Sequence, residues 1–207
     1  MARGLVAWPT EDQLPPNGKK GVAQIDRFVI GEKEENFTLM RQAMGNRGAH
    51  IPQGTYVRLG INGSVMMSNT PTELRESELP VARAHGRVLI AGLGLGVMLH
   101  PILAKEEVEH VTLVEISKDV IDLVQPSLQE HIDAGRLTII CADFREWVPK
   151  RGTRYQCVWI DIWQDICSDQ LPLAKALTKK YKRRLEKGDG DPWVDTWMDA
   201  CAYRMRW

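Results

Sequence analysis

The chain is poor in the residues and patterns that would place it in several common classes. Its 207 residues hold four cysteines, Cys141, Cys157, Cys167 and Cys201, with no CxxC pair. This argues against a zinc ribbon or a paired redox dithiol, and the four read as reduced core thiols of a cytoplasmic protein. The five histidines, His50, His85, His100, His110 and His131, lack metal-ligand spacing, so no metal is expected. No uncharged apolar run approaches the ~18–20 residues of a spanning helix, and no membrane contact is expected. The start, MARGLVAWPTEDQLPP, brings acids and prolines close behind a short apolar stretch, unlike a secretory signal. Charge of one sign is missing too: 27 basic and 27 acidic residues cancel, so the overall field selects no partner. There is no internal repeat. With 43% hydrophobic and 26% charged residues, the composition is that of a globular domain rather than a disordered chain.

What is present falls into two parts, with a boundary expected at 80/81: 1–80 as an arm plus a small β-rich module, and 81–207 as the main domain. Residues 1–24 read as an irregular arm, marked by Pro15-Pro16-Asn17-Gly18. A short strand over 24–30 and a helix over 32–44 follow. A hairpin over 55–68 turns on Asn62-Gly63. From Arg87 the rhythm changes. Apolar runs at 88–91, 110–115, 137–141 and 157–162 alternate with helical stretches, one over 97–105. Ser117 caps the next helix and Pro126 interrupts it. Such alternation predicts a parallel sheet covered on both faces. Leu173, Leu177, Tyr181 and Leu185 form one helix stripe. Asp191 and Pro192 predict the start of a last helix with Trp193, Trp197 and Cys201 on one face, and no further strand. A sheet ending at the fourth strand needs cover, from the terminal helices or from a second copy, which makes a homodimer an expectation.

Chemistry concentrates at Gly92-Leu93-Gly94-Leu95-Gly96, between the first parallel strand and its helix. Glycines there let a ligand approach the backbone and the free N–H groups of a helix start. The spacing is not GxGxxG, because position 97 is Val. Glu115 stands 19 residues after Gly96, at the end of the second run, where a carboxylate can accept from both ribose hydroxyls. Asp143 and Asp161 end the third and fourth runs. All lie on the sheet edge that binds ligands in open α/β folds. The alternative is that these acids are loop or capping residues.

Over roughly residues 87–163 these features resemble the class I S-adenosylmethionine-dependent methyltransferase superfamily, and within it the spermidine synthase-like branch. The resemblance implies a Rossmann-like, doubly wound parallel sheet, C-terminally shortened here, with a small N-terminal β-hairpin module. It implies S-adenosylmethionine as cofactor, with Gly92, Gly94 and Gly96 holding its methionine part. Glu115 would take the ribose beside Ile116, Asp143 the adenine amino group, and Phe144 would pack on the ring. Ile90 stands where ordinary methyltransferases carry an acid, and Asp161 matches the catalytic aspartate of the aminopropyltransferase branch. Leu95 and Met66 depart from that branch, which has an aspartate and a glutamine there. Asn69-Thr70-Pro71-Thr72-Glu73-Leu74-Arg75 replaces its Tyr-His signature, and its second aspartate falls one residue late, at Asp165.

These departures favour methyl transfer to an unidentified small acceptor. Aminopropyl transfer from the decarboxylated cofactor and a non-catalytic nucleoside-binding or assembly role remain alternatives. Asp161 is the first candidate for the carboxylate that takes the acceptor's proton, and Asp165 the second. For Asp165 the reading as a helix-start or loop acid is favoured over catalysis. Trp159 and Trp163 either wall an acceptor pocket or pack against helices. The stretch from Lys175 to Lys187 holds seven basic residues and one acid. It either meets nucleic acid phosphates or is a solvated helix face, and the second is favoured.

Overall fold

Two sheets built on different rules carry the chain. The computed structural model describes residues 6–45, 50–164, 168–186 and 190–199. The first sheet is antiparallel and joins β1 (Gly18–Lys20), β2 (Ala23–Ile30), β3 (Gly54–Ile61) and β4 (Ser64–Ser68) in that order. Helix α1 (Glu32–Ala43) links β2 to β3. Asn62 (φ 52°) and Gly63 (φ 80°) make the β3–β4 turn, the two positive φ angles that a two-residue hairpin requires. Ala23, Ile25, Val57 and Leu59 are buried, two residues apart on their strands, as expected for a sheet with one face packed.

The second sheet is parallel throughout, with strand order β7-β6-β5-β8-β9. Its strands are β5 (Gly86–Ala91), β6 (Val108–Glu115), β7 (Leu137–Cys141), β8 (Cys157–Ile160) and β9 (Trp193–Thr196). Helix α2 (Pro71–Arg83) leads into β5 and crosses residue 80. The crossovers carry α3 (Leu99–Leu103), α4 (Lys118–Val124), α5 (Gln129–Asp133) and α6 (Leu171–Lys182). The chain enters at the central β5, runs out through β6 and β7, and returns to β8 on the other side of β5. The order therefore reverses at β5, which opens a crevice at the strands' carboxyl ends.

Both faces of this sheet are covered, which is why its strands read as uninterrupted apolar runs. Val88, Ile90 and Trp159 join one core cluster. Leu89, Ala91, Val158 and Ile160 join the other, with Phe144, Leu177 and Tyr181. The small sheet shares the first cluster and rests on α4. There the Val22 N–H donates to Asp119 at 3.1 Å, and Leu123 lies against Gly18. Ser117 caps α4 as expected, its Oγ accepting the Val120 N–H at 3.3 Å. Pro126 falls in the tighter turn that ends that helix.

Four local expectations are corrected. The arm contains β1, which pairs with β2 from Gly18–Ile25 to Lys20–Ala23. The helix expected over 97–105 is confined to α3. Turn bonds from Gly96 to Leu93 and from Leu99 to Gly96 extend the glycine loop, and Pro101 has no N–H to give. Helix α2 lies where no element is assigned above, although Thr70 before Pro71 is a helix-start signal. The fourth correction is the largest. Residues 193–196 are a strand, β9, paired in parallel with β8 from Cys157–Trp193 to Ile160–Thr196. The edge of β8 would otherwise leave backbone groups unpaired, and Trp-Val-Asp-Thr favours strand. Pairing overrides the helical spacing, and helix resumes only at 197–199. This strand, not a terminal helix or a second copy, covers the edge of β8. Of the cysteines, Cys157 is buried but Cys141, at the end of β7, is exposed rather than a core thiol. Cys167 and Cys201 lie outside the described residues, as do Asp165 and Lys187.

Candidate active site

The crevice at the carboxyl ends of β5, β6 and β8 is a cavity of about 660 Å³. The glycine loop forms one wall. Gly92 (φ 96°) has the positive φ that favours glycine, and any Cβ there would collide with the Asp161 carbonyl. Strands β5 and β8 are thus pressed together at their ends, and the Asp161 N–H donates to Ala91 O at 2.9 Å. That contact brings the first strand's loop and the fourth run's acid to one place.

Glu115 braces the loop. Its Oε2 accepts the Leu93 N–H at 2.8 Å and its Oε1 accepts the Ser117 N–H at 2.7 Å. Each carboxylate oxygen has a further lone pair for a hydroxyl. Ile116 is 61% exposed and lines the same cavity, an apolar surface beside that carboxylate. Asp143 also lines it, but is engaged by Arg145. The Arg145 backbone N–H donates at 2.9 Å and its guanidinium reaches 2.5 Å. This pairing lowers the Asp143 pKa. Phe144 borders the cavity but is 3% exposed, and its ring stacks on Tyr181 with centroids 4.7 Å apart. Its ring is therefore already part of the second core cluster.

Asp161 sits at the inner end. Burial, with Glu76 and Glu73 as further causes, pushes its pKa up to about 7. Both glutamates come from α2, three residues apart and so on one helix face. Glu73 is itself pushed up by burial, and accepts from the Ser68 N–H and hydroxyl at 2.6 Å each. Glu76 accepts the Trp197 indole N–H at 2.8 Å. Trp159 and Trp163 line the cavity as well, and their buried indole nitrogens have no partner among the described residues. The inner end thus combines three carboxylates with three indoles, a surface suited to a cationic, partly apolar ligand. Among the described residues no group of three or more metal-ligating side chains is arranged to hold a metal ion.

The structure therefore gathers Gly92, Gly94, Gly96, Glu115, Ile116, Asp143, Phe144 and Asp161 around one cavity. It adds Glu73, Glu76, Met67 and Trp197, which the sequence did not single out as site residues. The pair Glu73/Glu76 carried a usable signal: two acids at helical spacing just inside a Thr-Pro helix start. The basic residues of α6 are elsewhere. Lys175, Lys179 and Lys182 are exposed, while Lys180 donates to Trp147 O at 3.0 Å.

Comparison with known proteins fits this geometry. No protein-family model matches the chain. It is 30% identical over 164 residues to polyamine aminopropyltransferase 1 of Streptomyces coelicolor, covering 73% of this chain and 30% of that protein. It is 26% identical over 182 residues to polyamine aminopropyltransferase 2 of Ralstonia nicotianae, covering 77% and 34%. Among solved structures, spermidine synthase from Thermotoga maritima matches 93% of this chain and 63% of its own, with TM-score 0.52 at 22% identity. These likenesses are to the spermidine synthase-like branch of the class I methyltransferase superfamily. This spermidine synthase-like chain spans about a third of the length of the curated relatives it matches. The expectation of methyl transfer is overturned by these relatives, which carry the name polyamine aminopropyltransferase. Leu95 and Met66 had weighed toward methyl transfer because they remove polar groups from the loop and hairpin. The carboxylates of α2 supply polar groups from another element.

Proposed function

We propose that this chain carries an aminopropyl-transfer site, with decarboxylated S-adenosylmethionine as donor and a small alkyl amine as acceptor. The observation behind the reading is the convergence of Asp161, Glu73 and Glu76 on the cavity that also holds the glycine loop and Glu115. Buried like charges are costly unless a cation joins them, and a di- or polyamine is such a cation. When bound, the donor supplies an aminopropyl carbon already activated by its sulfonium; the C–S bond breaks as the C–N bond forms, and methylthioadenosine leaves.

The chain's own residues position and deprotonate. Glu115 and the adjoining Ile116 hold ribose and base, beside a glycine loop whose Gly94 packs against Met67 and Gly96 against Val124. Asp143 reaches the adenine amino group by exchanging or sharing its Arg145 contact. Glu73 and Glu76 hold the acceptor's distal ammonium, while Trp159, Trp163 and Trp197 line its alkyl part. Asp161 takes the proton from the attacking nitrogen; a carboxyl near pKa 7 is matched to that work at neutral pH. The small acceptor, not nucleic acid, is the partner this site suits. Methylthioadenosine released from decarboxylated S-adenosylmethionine in the presence of 1,4-diaminobutane or a homologue tests the reading. Binding of the donor with no amine-dependent release would refute it.

A further inference from the structure

Met67 of β4 touches the glycine loop at a point the proposed reaction does not use. Its Sδ accepts the backbone N–H of Leu95 at 3.4 Å, and a Cβ built on Gly94 would overlap the same sulfur. Met67 is aimed there by a strand irregularity. Leu59 pairs with Met67 and Gly60 with Val65, so Met66 is the extra residue of a bulge. Bulges re-aim side chains in this way. Met67 and Gly94 both line the cavity, while the side chain of Leu95 is fully buried. The hairpin's sulfur therefore caps a loop amide and fills the space above the loop's central glycine.

A thioether is a weak acceptor, whereas a carboxylate makes a short, charge-assisted bond to an N–H. A ligand tail ending in a carboxylate would find its natural partner, the Leu95 N–H, already capped and the space above Gly94 filled. It would also enter a cavity that Glu73, Glu76, Glu115 and Asp161 already line. A tail ending in an ammonium has no use for that N–H and meets opposite charge. We propose that Met67 is a specificity-determining residue that selects the decarboxylated over the intact cofactor. This deepens the aminopropyl-transfer reading and rests on it.

The test is calorimetric titration of wild type and Met67→Ala with three ligands: S-adenosylmethionine, its decarboxylated form and methylthioadenosine. Wild type is expected to favour the decarboxylated form by ~10-fold or more, each tenfold being a measurable step in binding free energy. Met67→Ala should cut that ratio about 5-fold by tightening the intact form, with methylthioadenosine affinity changing less than about 2-fold. An unchanged ratio in a folded Met67→Ala protein overturns the role of Met67 while leaving aminopropyl transfer standing. Wild-type preference for the intact cofactor, or no binding of the decarboxylated form, overturns both. Met67→Val also removes the sulfur and shortens the side chain, but suits a strand, so it serves if Met67→Ala does not fold. An unchanged ratio there is equally fatal to the proposal.

Discussion

Asp161 is where environment sets the chemistry. Burial and two neighbouring glutamates raise its pKa to about 7, so its proton-accepting form grows in as pH rises through neutrality. Amine-dependent turnover in the free-enzyme profile should fall below about pH 7 from this group. Asp161→Asn should lower kcat ~10²–10⁴-fold while leaving donor affinity nearly unchanged, measured by methylthioadenosine release and calorimetry. Glu76→Gln should behave differently, raising KM for the amine by ~10-fold with a smaller effect on kcat, because it holds rather than reacts. The place of Glu115 at a strand's end, on the cavity, was legible because it follows from the strand pattern. Its bracing of the Leu93 and Ser117 amides was not, since that depends on side-chain direction. The helical spacing of Glu73 and Glu76 was legible, but the contacts of Glu76 with Trp197 and of Met67 with Leu95 join residues far apart in the chain, which no local pattern records.

The elements show the same division. Strands β5 to β8 were legible because each is buried on both faces and reads as a continuous apolar run. The hairpin was legible from Asn62-Gly63, whose positive φ angles the structure shows. Strand β9 was misread because Trp193 and Trp197, four residues apart, imitate a helix stripe. The edge of β8 decided the matter instead. This strand also places Trp197, and through it Glu76, so it belongs to the site as much as to the sheet. Asp195→Pro, two residues on from the Trp193 N–H that donates to Gln156 O, should remove a parallel ladder bond to β8 and lower Tm by several degrees, with loss of amine-dependent turnover in the protein that remains folded at the assay temperature. By contrast Ser117→Ala deletes only a helix cap. It should cost ~1 kcal/mol, a fall of about 2–4 °C in a thermal melt, with donor binding retained.

For the molecule as a whole, the raised pKa of Asp161 makes stability depend on pH in a definite direction. The folded state keeps a proton on Asp161 up to about pH 7, while the unfolded chain releases it at the ordinary carboxylate value. The group's contribution is therefore fully present at low pH and is lost as pH rises through about 7. Asp161→Asn should raise Tm at pH 8 more than at pH 5, and a cationic amine should stabilise the wild type above pH 7 by restoring charge balance. No helix among the described residues is long and apolar enough to cross a membrane. The two sheets share one core, so the acids of α2 stay fixed against the loop of β5.

The most direct measurement is methylthioadenosine formation by the purified chain from decarboxylated S-adenosylmethionine, with and without 1,4-diaminobutane, for wild type and Asp161→Asn. Amine-dependent release by the wild type, abolished in Asp161→Asn protein that still binds the donor, is the result predicted. Donor binding without amine-dependent release, or equal release by both proteins, would contradict it.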